Sequence, residues 1–544
     1  MEGKIINFGY DAQGKVIEGV KDASTAIAKT LGPSGKCVAI NNGFGSPEIT
    51  RDGATVAKSI SFKDKAKNMG AQMVRKAAAL TESQAGDSTS TTSILINELC
   101  QKGRRAINAG ANVNEIKAGM LKAGARIEEF IKSQSIPVDG DLEKIRRVAT
   151  ISANNDPAVG DLIVRGMEAV GIHGVLTSDL AAGTETEINV TTGMRIERGW
   201  HNPLYINKPE DGTCELENPY VLLVGEKISN ISQILPFLQF VGEGNGKGRP
   251  FLIICDDIDP AVSQTLIVNV HRGAISCCVV KAVEYGDARK NLMQDIATAT
   301  GGVYLSEETG HTLADFKPEY LGAAKKIVIS SDSTVMYEFA GDPKEIEKRA
   351  EILKKRLEDP KISDYEHSKF EKRIAGLVGG IGVIRAGGAT EAEKQNRKAT
   401  IDDAILASKS AIAEGCVPGG GYVYLKGAEV ALNDEKFMNS LIGDEVEGAR
   451  IVLAALPVIL HTIAENSGDS GDVIVNAVKG MAEYHGYNAK TKQLGVDLIE
   501  EGILDSTKAV RVALENAIST ASMILLIDCT IIEEEEEHQE NPMM

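Results

Sequence analysis

The chain has 544 residues, of which 43 % are hydrophobic and 25 % are charged, a composition typical of a globular protein of roughly three or four domains. Lysine and arginine number 59 and aspartate and glutamate 77, which leaves a net charge of −18. An acidic surface argues against nucleic acid and anionic membranes as partners, because both attract basic side chains.

The N-terminal residues show neither the apolar core of an export signal nor an Arg/Ser-rich import helix, so we expect a cytoplasmic protein. The eight cysteines are scattered, without CxxC pairs or histidines at ligand spacing, which predicts buried thiols in a reducing compartment and no zinc site. The best candidate membrane span, Ile451 to Ile463, is short and contains Pro457 and His461, which favours a core helix.

The first 136 residues predict helices joined by glycine turns. Gly32-Pro33 ends the first helix, whose apolar residues recur every three or four positions at Val16, Val20, Ala23, Ile27 and Leu31. A second amphipathic helix runs from about Lys67 to Leu80, and a third turns Ile94, Leu95 and Leu99 inward. The turn residues from Ile136 to Gly140 predict a domain boundary.

The middle of the chain predicts an α/β layer, because short apolar runs at Tyr220–Val224 and Phe251–Cys255 alternate with helical patterns. The glycine-rich stretch Gly242–Gly248 lacks the spacing and the Ser/Thr of a P-loop, and is interpreted as an exposed connection. A charged helical hairpin follows Asp342, and its charges are interpreted as a solvated face. Its apolar stripes and turn are predicted at Ile346, Ala350, Leu353, Leu357, Pro360, Tyr365, Phe370 and Ile374.

After Thr400 the helical pattern resumes and continues to Cys529, and the acidic residues 533–544 predict a disordered tail. A helical start, an α/β middle and a helical finish predict a multidomain α+β fold. In such a nested arrangement the two chain ends build one domain together.

Several segments pair polar groups with glycine or small residues. Backbone N–H groups and hydroxyls at a helix start near Gly86–Thr92 could bind an anion, with Asp87 holding Mg²⁺ against a phosphate. The same segment alone equally fits a simple helix cap. The other segments, taken singly, are only turns, a joint and a helix start: Thr30–Gly35, Arg51–Gly53, Asp402-Asp403, Glu414–Gly421, Gly486–Ala489 and Ile503–Asp505.

Taken together and in order, these segments resemble the group I chaperonins over nearly the whole chain. The resemblance is densest in Leu31–Pro33, Asp52-Gly53, Asn68–Val74, Ile206–Glu210, Lys227–Ile231, Met293–Thr298, Gly419–Gly421, Gly486–Ala489 and Gly502–Asp505. It implies a mainly helical equatorial domain of residues 1–136 and 415–544, an intermediate domain of 137–192 and 381–414, and an α/β apical domain of 193–380. Pro137 and Gly415 match the family's lower hinges, and Gly193 and Gly380 its upper ones.

The resemblance also implies an ATP site built from both chain ends. Asp52 and Asp403 would be catalytic and orient the attacking water, Asp87 would bind Mg²⁺, and Thr30 with Arg51 would lie at a K⁺ site. The implied nucleotide contacts are Thr30, Leu31, Gly32, Pro33, Arg51, Gly53, Gly86, Asp87, Ser88, Thr89, Ser90, Thr91, Gly420, Asn488, Ala489, Ile503 and Asp505. Ser88 and Ser90 replace a glycine and a threonine of the family, and Arg51 replaces a lysine.

The family binds unfolded chains and a lid-forming co-chaperonin on one apolar apical rim. The matching residues are Trp200, Leu204, Tyr205, Leu235, Leu238, Ile267 and Val268, with Ser263 in place of a leucine. Pattern alone favours a core face, because Leu235/Leu238 and Ile267/Val268 are ordinary helix-packing pairs, whereas the single tryptophan favours a binding patch.

The function that the resemblance implies is an ATP-hydrolysing, homo-oligomeric ring, heptameric in the family, which encloses unfolded proteins. His461 and Ser470, with Asp469 beside the latter, stand where the family forms a cross-ring ion pair, so the number of rings stays open. These departures and the acidic tail predict a divergent member encoded by a bacterium or a bacteriophage. The alternative is a holdase or scaffold without productive ATP turnover; a generic metabolic ATPase is disfavoured, because no small-substrate catalytic constellation is found.

Overall fold

A computed structural model gives the fold and describes residues 4–41, 47–138, 140–171, 174–242, 246–357 and 364–533. The predicted tail beyond Glu533, the turn at Pro360, Asp139 and residues 243–245 of the glycine-rich connection lie outside the described residues, as do the side chains of Leu357 and Tyr365.

The chain divides into two compact units. The first comprises residues 1–164, 178–186 and 386–544, and the second comprises residues 165–177 and 187–385. Both chain ends therefore belong to the first unit, and the second is inserted between them. The finer division into equatorial, intermediate and apical domains stays a prediction.

The elements of the first part of the chain are mostly helices. They are β1 (Lys4–Phe8), α1 (Gly9–Ala28), β2 (Val38–Ile40), β3 (Glu48–Thr50), α2 (Gly53–Ser59), α3 (Lys65–Ala85), α4 (Thr89–Asn108), α5 (Val113–Ser133), α6 (Leu142–Ser152) and α7 (Pro157–Val170).

The middle of the chain alternates strands and helices. Its elements are β4 (Val175–Leu180), β5 (Glu187–Ile196), β6 (Cys214–Glu217), β7 (Tyr220–Ile228), α8 (Leu235–Gly242), β8 (Phe251–Ile258), α9 (Pro260–His271), β9 (Cys277–Lys281), α10 (Gly286–Thr300), β10 (Tyr304–Leu305), β11 (Gly322–Ile329), β12 (Thr334–Phe339), α11 (Pro343–Leu357), α12 (Asp364–Val378) and β13 (Gly380–Ala386).

The last part returns to helices separated by short strands. Its elements are α13 (Glu391–Glu414), β14 (Cys416–Pro418), α14 (Tyr422–Leu432), α15 (Glu435–Asn439), α16 (Glu445–Ala455), α17 (Val458–Ser467), α18 (Gly471–Lys479), β15 (His485–Asn488), β16 (Gln493–Asp497), β17 (Leu504–Ser506), α19 (Thr507–Leu525) and β18 (Cys529–Glu533).

The core of the first unit is a cluster of buried apolar side chains from both chain ends. Val16, Val20 and Ile27 of α1 pack with Leu95 and Leu99 of α4, as the periodicity predicts. Helix α1 ends at Ala28, so the last predicted position of the stripe, Leu31, lies in the following loop and not on the helix.

Short strands between distant segments are the main departure from the helical prediction for the first unit. β1 pairs antiparallel with β18, from Lys4 opposite Glu533 to Phe8 opposite Cys529. β14 pairs with β17 and places Val417 opposite Asp505. Strands of three to five residues are too short to show a period, and their partners lie far away in the sequence.

The second unit contains a mixed sheet in which the strands follow the order β13-β5-β12-β11-β7-β8-β9, with β6 paired to β11 and β10 paired to β7. β7, β8 and β9 are parallel, and the remaining pairs of the ordered strands are antiparallel. The predicted runs Tyr220–Val224 and Phe251–Cys255 are confirmed as β7 and β8. Apart from the partly buried Tyr220, their side chains are almost fully buried, as expected for strands covered on both faces.

The apolar stretch Glu445–Ser467 is long enough to cross a membrane, and 56 % of its most apolar window is buried inside the protein. Pro457 separates α16 from α17 within it. Ile451, Val452 and Leu460 lie in the core of the first unit, so the predicted burial is confirmed, but the segment forms two helices and not the single core helix that was expected.

Candidate functional site: a cavity in the first unit

A cavity of about 200 Å³ opens in the first unit among segments from both chain ends. The loop after α1, the start of α2, the start of α4, the end of α6, α13 and the β14–α14 turn all contribute to its lining, together with the β15 and β17 segments. Every predicted catalytic or nucleotide-contacting residue except Gly86 lines it. Gly86 ends α3 with φ +75°, and a side chain there would overlap Leu406 of α13, so its role is to permit close packing.

The start of α4 forms one end of the cavity. Ser88 occupies the N-cap position without a side-chain capping bond, and its backbone N–H donates to the carboxylate of Asp87. Ser90 and Thr30 share a hydrogen bond between their hydroxyls at 3.2 Å, which links α4 to the loop after α1. Free N–H groups and hydroxyls at a helix N-terminus suit a phosphate group.

Ser88 has φ +70° and ψ 21°, in the left-handed region that favours glycine. The sequence predicts that Ser88 places a side chain where the backbone approaches a phosphate closely. The structure shows in addition that the backbone of Ser88 is strained. We expect Ser88→Gly to raise the free energy of unfolding by about 1 kcal/mol, because it relieves that strain. Ser90→Gly, inside the first turn of α4, is the matched control. This substitution should lower the free energy of unfolding, because it removes the hydrogen bond to Thr30 and adds backbone freedom to the unfolded chain. Chemical denaturation measures both, and a Ser88→Gly variant less stable than wild type contradicts the strain.

Asp52 caps α2 with both carboxylate oxygens. Its Oδ1 accepts from the Ala54 N–H at 3.0 Å, and its Oδ2 accepts from the Thr55 N–H at 2.8 Å and the Thr55 hydroxyl at 2.6 Å. These three bonds hold the carboxylate in one orientation at the cavity wall. Asp403 reaches the same cavity from α13.

Arg51 is tied to the loop after α1. Its Nη2 donates to the carbonyl oxygens of Gly32 at 3.2 Å and Pro33 at 3.3 Å. The positive charge of Arg51 is thus held against two carbonyl groups at the cavity wall. The predicted K⁺ site at Thr30 and Arg51 stays a prediction.

Burial raises the pKa of three carboxyl groups around the cavity. For Asp87, the hydrogen bond from the Ser88 N–H and the nearby hydroxyl of Ser152 oppose the shift, while the negative charge of Asp52 raises the pKa further. For Asp403, burial is the largest cause, followed by the charges of Asp52 and Asp87. Burial, and then the charge of Asp87, raise the pKa of Asp505 to about 7. These carboxylates repel one another, and a bound cation would relieve that repulsion.

This shift predicts a pH dependence of stability in the absence of divalent cations. Folded Asp505 titrates near pH 7 and the unfolded carboxyl near 3.8, so the folded state holds the extra proton between these values. The contribution of Asp505 to the free energy of unfolding therefore falls as pH rises from about 4 to about 7, and it stays constant above that range. We expect Asp505→Asn to gain on the order of 2–3 kcal/mol relative to wild type across this window, a figure reduced for screening by cavity water. Thermal or chemical unfolding in EDTA measures it, and a difference between the two proteins that does not change with pH contradicts the shift.

The other end of the cavity is more apolar. Ala489 and Ile503 line it together with Val423, Ile459 and Val510. A base could lie against these side chains. Gly419 lets the β14–α14 turn approach Asp505, because a Cβ at 419 would lie 2.8 Å from the Asp505 Cγ.

Asn488 of this end is engaged by the protein itself. Its Oδ1 accepts from the N–H groups of Lys490 at 3.0 Å and Thr491 at 3.2 Å, and its Nδ2 donates to Glu501 at 3.2 Å. The side chain therefore shapes the β15–β16 turn in addition to its predicted contact with the nucleotide.

The sequence analysis missed the part of the cavity wall that is formed by the last residues of α6 and the loop after it. Ile151, Ser152, Asn154 and Asn155 line the cavity, and both asparagines have positive φ. The consecutive asparagines are a turn signal that could have drawn attention to this loop. Tyr487 and Lys490 were also missed, although Tyr487 lies within the Gly486–Ala489 motif.

The carboxylates around the cavity could contribute ligands to a magnesium ion. Among the described residues, no group of three His, Cys, Asp or Glu side chains is placed to hold a metal ion by itself. Mg²⁺ typically takes one or two carboxylates and completes its shell with water and substrate phosphates. Asp87 beside the start of α4 fits that pattern, so the residues present suit Mg²⁺ together with a phosphate-bearing ligand.

The predicted client-binding residues of the second unit differ in how far their side chains are exposed to solvent. Leu204, Leu235 and Val268 are 48, 46 and 37 % exposed, and Trp200 and Leu238 are partly buried against the core. The expectation is corrected for Tyr205 and Ile267, which are 1 and 2 % exposed and belong to that core.

Ser263 is buried as well, so the expectation that it weakens one edge of an exposed groove is wrong. The Tyr205 hydroxyl lies 3.2 Å from its Oγ and 3.3 Å from its carbonyl oxygen. The serine therefore satisfies a buried tyrosine hydroxyl, which a leucine side chain could not do.

The four predicted hinge residues have different local environments. Gly415 follows α13 and has φ +83°. Its neighbour Cys416 exchanges two backbone hydrogen bonds with Ile136, the residue before Pro137, so the two predicted lower hinges lie close together. Gly193 and Gly380 lie in β5 and β13, where a side chain would overlap Ile381 and Val190 respectively. Close packing thus explains these two glycines, and their hinge role stays a prediction.

Two residues at the predicted ring–ring face, His461 and Asp469, contact other side chains of the chain. His461 Nε2 lies 3.7 Å from Asp472 Oδ1, and Asp469 accepts a 2.6 Å hydrogen bond from the Tyr487 hydroxyl. Ser470 is the N-cap residue of α18.

The comparison with known proteins agrees with this architecture. Two crystal structures of the chaperonin gp146 from bacteriophage EL 2 (Pseudomonas aeruginosa), both in the presence of ATP-BeFx, superpose on the chain with 22 % identity. Crystal form II gives a TM-score of 0.73 over 98 % of this chain and 100 % of that chain, and form I gives 0.64 over 97 % and 99 %. At this identity the likeness shows the fold. Residues 24–234 and 246–535 match the TCP-1/cpn60 chaperonin family, and the chain therefore belongs to that family of chaperonins.

Proposed function

We propose that the protein is an ATP-dependent folding chaperonin, the subunit of a homo-oligomeric ring that binds unfolded polypeptides and encloses them. One observation carries the proposal: Asp52, Asp87, Asp403 and Asp505 come from four separate segments and line one cavity with the start of α4. Phosphoryl transfer needs mainly positioning and charge, which such a set supplies. The bacteriophage chaperonin with the same fold was crystallised with ATP-BeFx, which supports a nucleotide in this cavity.

The placement of the residues in the cavity supports the following roles. The start of α4 and the loop after α1 would bind the phosphates, and Asp87 would hold Mg²⁺, which supplies positive charge to the transferred group. Asp52 is held rigidly by its three bonds and Asp403 by its position on α13, so both can orient a water molecule. Ala489 and Ile503 would contact the base, with Gly420 and Asp505 beside the ribose.

Clients would bind at the exposed apolar residues of the second unit, Leu204, Leu235 and Val268. A co-chaperonin lid would use the same residues, so clients and lid would compete. ATP binding would shift the population toward a state in which this surface is withdrawn from the client. We propose that the protein works in the cytosol of a bacterium or of an infected host cell.

Ring formation is supported by two exposed two-stranded sheets of the first unit. β1 and β18 carry Ile6, Phe8 and Ile531 on accessible positions, and Ile49 of β3 is also exposed. Exposed sheet edges with apolar side chains favour pairing with another chain. A second copy is the natural partner in a homo-oligomer.

The proposal is tested on the purified wild-type protein. We expect phosphate release from ATP that needs Mg²⁺ and stops in EDTA, ATP-dependent refolding of a denatured client, and rings in electron micrographs with and without ATP. The micrographs also give the number of subunits and rings. Client binding without any ATP turnover identifies the alternative, a holdase or scaffold, to which the strained Ser88 points.

A further inference from the structure

Arg147 of α6 contacts a loop that is far away in the sequence. Its Nη1 donates to the carbonyl oxygens of Ile499 at 2.7 Å and Glu500 at 3.3 Å, and its Nε donates to Glu143 at 3.2 Å. The side chain lies directly over Gly502, where a Cβ would be 2.8 Å from the Arg147 Cδ. Glycine at 502, with φ +74°, therefore permits the guanidinium to reach the loop. Residues Ile499–Gly502 are called the base loop here.

The base loop leads directly into the apolar end of the nucleotide cavity. The next residue, Ile503, lines the cavity, and its carbonyl oxygen accepts from the N–H of Gly419 at 2.8 Å. Glu501 of the loop accepts from Asn488, another cavity residue, at 3.2 Å. The base loop is therefore joined to two residues that line the cavity, to Ile503 through the chain and to Asn488 through a hydrogen bond.

The helix that carries Arg147 also lines the cavity beside Asp87. Ile151 and Ser152, about one turn later on α6, line the cavity, and the Ser152 hydroxyl faces Asp87. Since α6 is one short helix, Arg147 connects the base loop with an element that also touches the proposed Mg²⁺ ligand.

We propose that Arg147 is a positioning residue that fastens the base loop to α6, holds the base-binding end of the cavity closed and slows the release of adenine nucleotides. This inference rests on the proposed ATP-binding function. The guanidinium donates to two carbonyl oxygens through Nη1 and to Glu143 through Nε, and a lysine ammonium, which has one nitrogen, reproduces only part of this set.

The neighbouring Arg146 provides a matched control. It lies on the same helix and pairs with Glu143 at 2.6 Å and Asp161 at 3.4 Å, without a described bond to the base loop. Arg146→Ala therefore removes an arginine and a charge from α6 but leaves the base loop attached.

The experiment measures the dissociation rate of fluorescently labelled ADP by stopped flow, together with KM and the single-turnover rate of ATP hydrolysis. We expect Arg147→Ala to raise the ADP dissociation rate and the KM for ATP about tenfold, the loss expected for a charge-assisted hydrogen bond. The single-turnover rate should change less than about threefold, because the carboxylates are untouched. Arg147→Lys should fall between wild type and Arg147→Ala, and Arg146→Ala should match wild type.

Two results overturn the role of Arg147 alone: an ADP dissociation rate in Arg147→Ala equal to that of wild type, or an equal increase in Arg146→Ala, which would reflect a general loosening of α6. A wild-type protein that binds no ADP overturns the nucleotide site and the role of Arg147 together. The two failures are thus distinguishable.

Discussion

Asp403→Ala is expected to lower the rate constant of ATP hydrolysis by at least about 100-fold, the effect of removing a positioned catalytic carboxylate. Asp403 enters the cavity from α13, opposite segments of the N-terminal half that carry Asp52 and Asp87. The variant should still bind nucleotide, because the start of α4 and the apolar end of the cavity are unchanged. Phosphate release under saturating Mg²⁺ and ATP, with labelled ADP binding in parallel, measures the two properties separately.

Asp402→Ala is the matched control on the same helix. Its carboxylate accepts from the Ser178 hydroxyl at 2.5 Å and lies 3.3 Å from Lys398, and it does not line the cavity. We expect its hydrolysis rate to stay within about threefold of wild type, as for a group outside the catalytic site. Background rates in both wild type and Asp403→Ala contradict the ATPase proposal, whereas a wild-type rate in Asp403→Ala contradicts only the role of this residue.

The stability of Asp403→Ala provides an independent check on its environment. Burial and the charges of Asp52 and Asp87 raise the pKa of Asp403, so the ionised carboxylate is unfavourable in the folded protein without a cation. The variant should therefore be at least as stable as wild type in EDTA near neutral pH. A loss of both activity and stability points instead to misfolding.

Asp295→Ala is expected to lower the free energy of unfolding of the second unit by about 3–5 kcal/mol, the range for breaking a buried ion pair. Asp295 of α10 is fully buried. It accepts from Arg349 of α11 at 2.7 Å and from Arg373 of α12 at 2.6 and 3.1 Å. Removal of the carboxylate leaves two largely buried guanidinium groups without their counter-charge.

Glu345→Ala is the matched control for this cluster. Glu345 pairs with Lys348 at 2.6 Å on the exposed face of α11, where solvent screens the interaction, and its loss should have little effect. Limited proteolysis and chemical denaturation of the full chain measure both variants. Equal stability of Asp295→Ala and wild type contradicts a structural role for the ion cluster.

The same cluster shows where the sequence-based interpretation was incomplete. Apolar stripes at Ile346, Ala350 and Leu353 predicted α11 with its buried face, because helical periodicity is a local property. The charges of the hairpin were interpreted as a solvated face, and most fit that interpretation. Arg349 and Arg373 differ, because a buried carboxylate from another helix lies within reach, and a one-dimensional pattern contains no information about it.

The predicted client surface illustrates the same limit. An apolar residue on an amphipathic helix can face the core or the solvent, and the spacing is the same in both cases. Tyr205 and Ile267 belong to the core, while Leu204, Leu235 and Val268 are exposed. Only the packing of α9 and of the turn at Pro203–Tyr205 against the sheet distinguishes them.

The sequence by itself determined the family, the long helices, the central strands β7 and β8 and many of the residues that line the cavity. These properties depend on local periodicity and on ordered motifs, which are readable along the chain. Tertiary structure alone decided the pairing of β1 with β18, the positive φ of Ser88, the wall formed by α6 and the contact of Arg147 with the base loop. It also decided the raised pKa values of Asp87, Asp403 and Asp505, because burial and charge proximity arise only when segments hundreds of residues apart pack together.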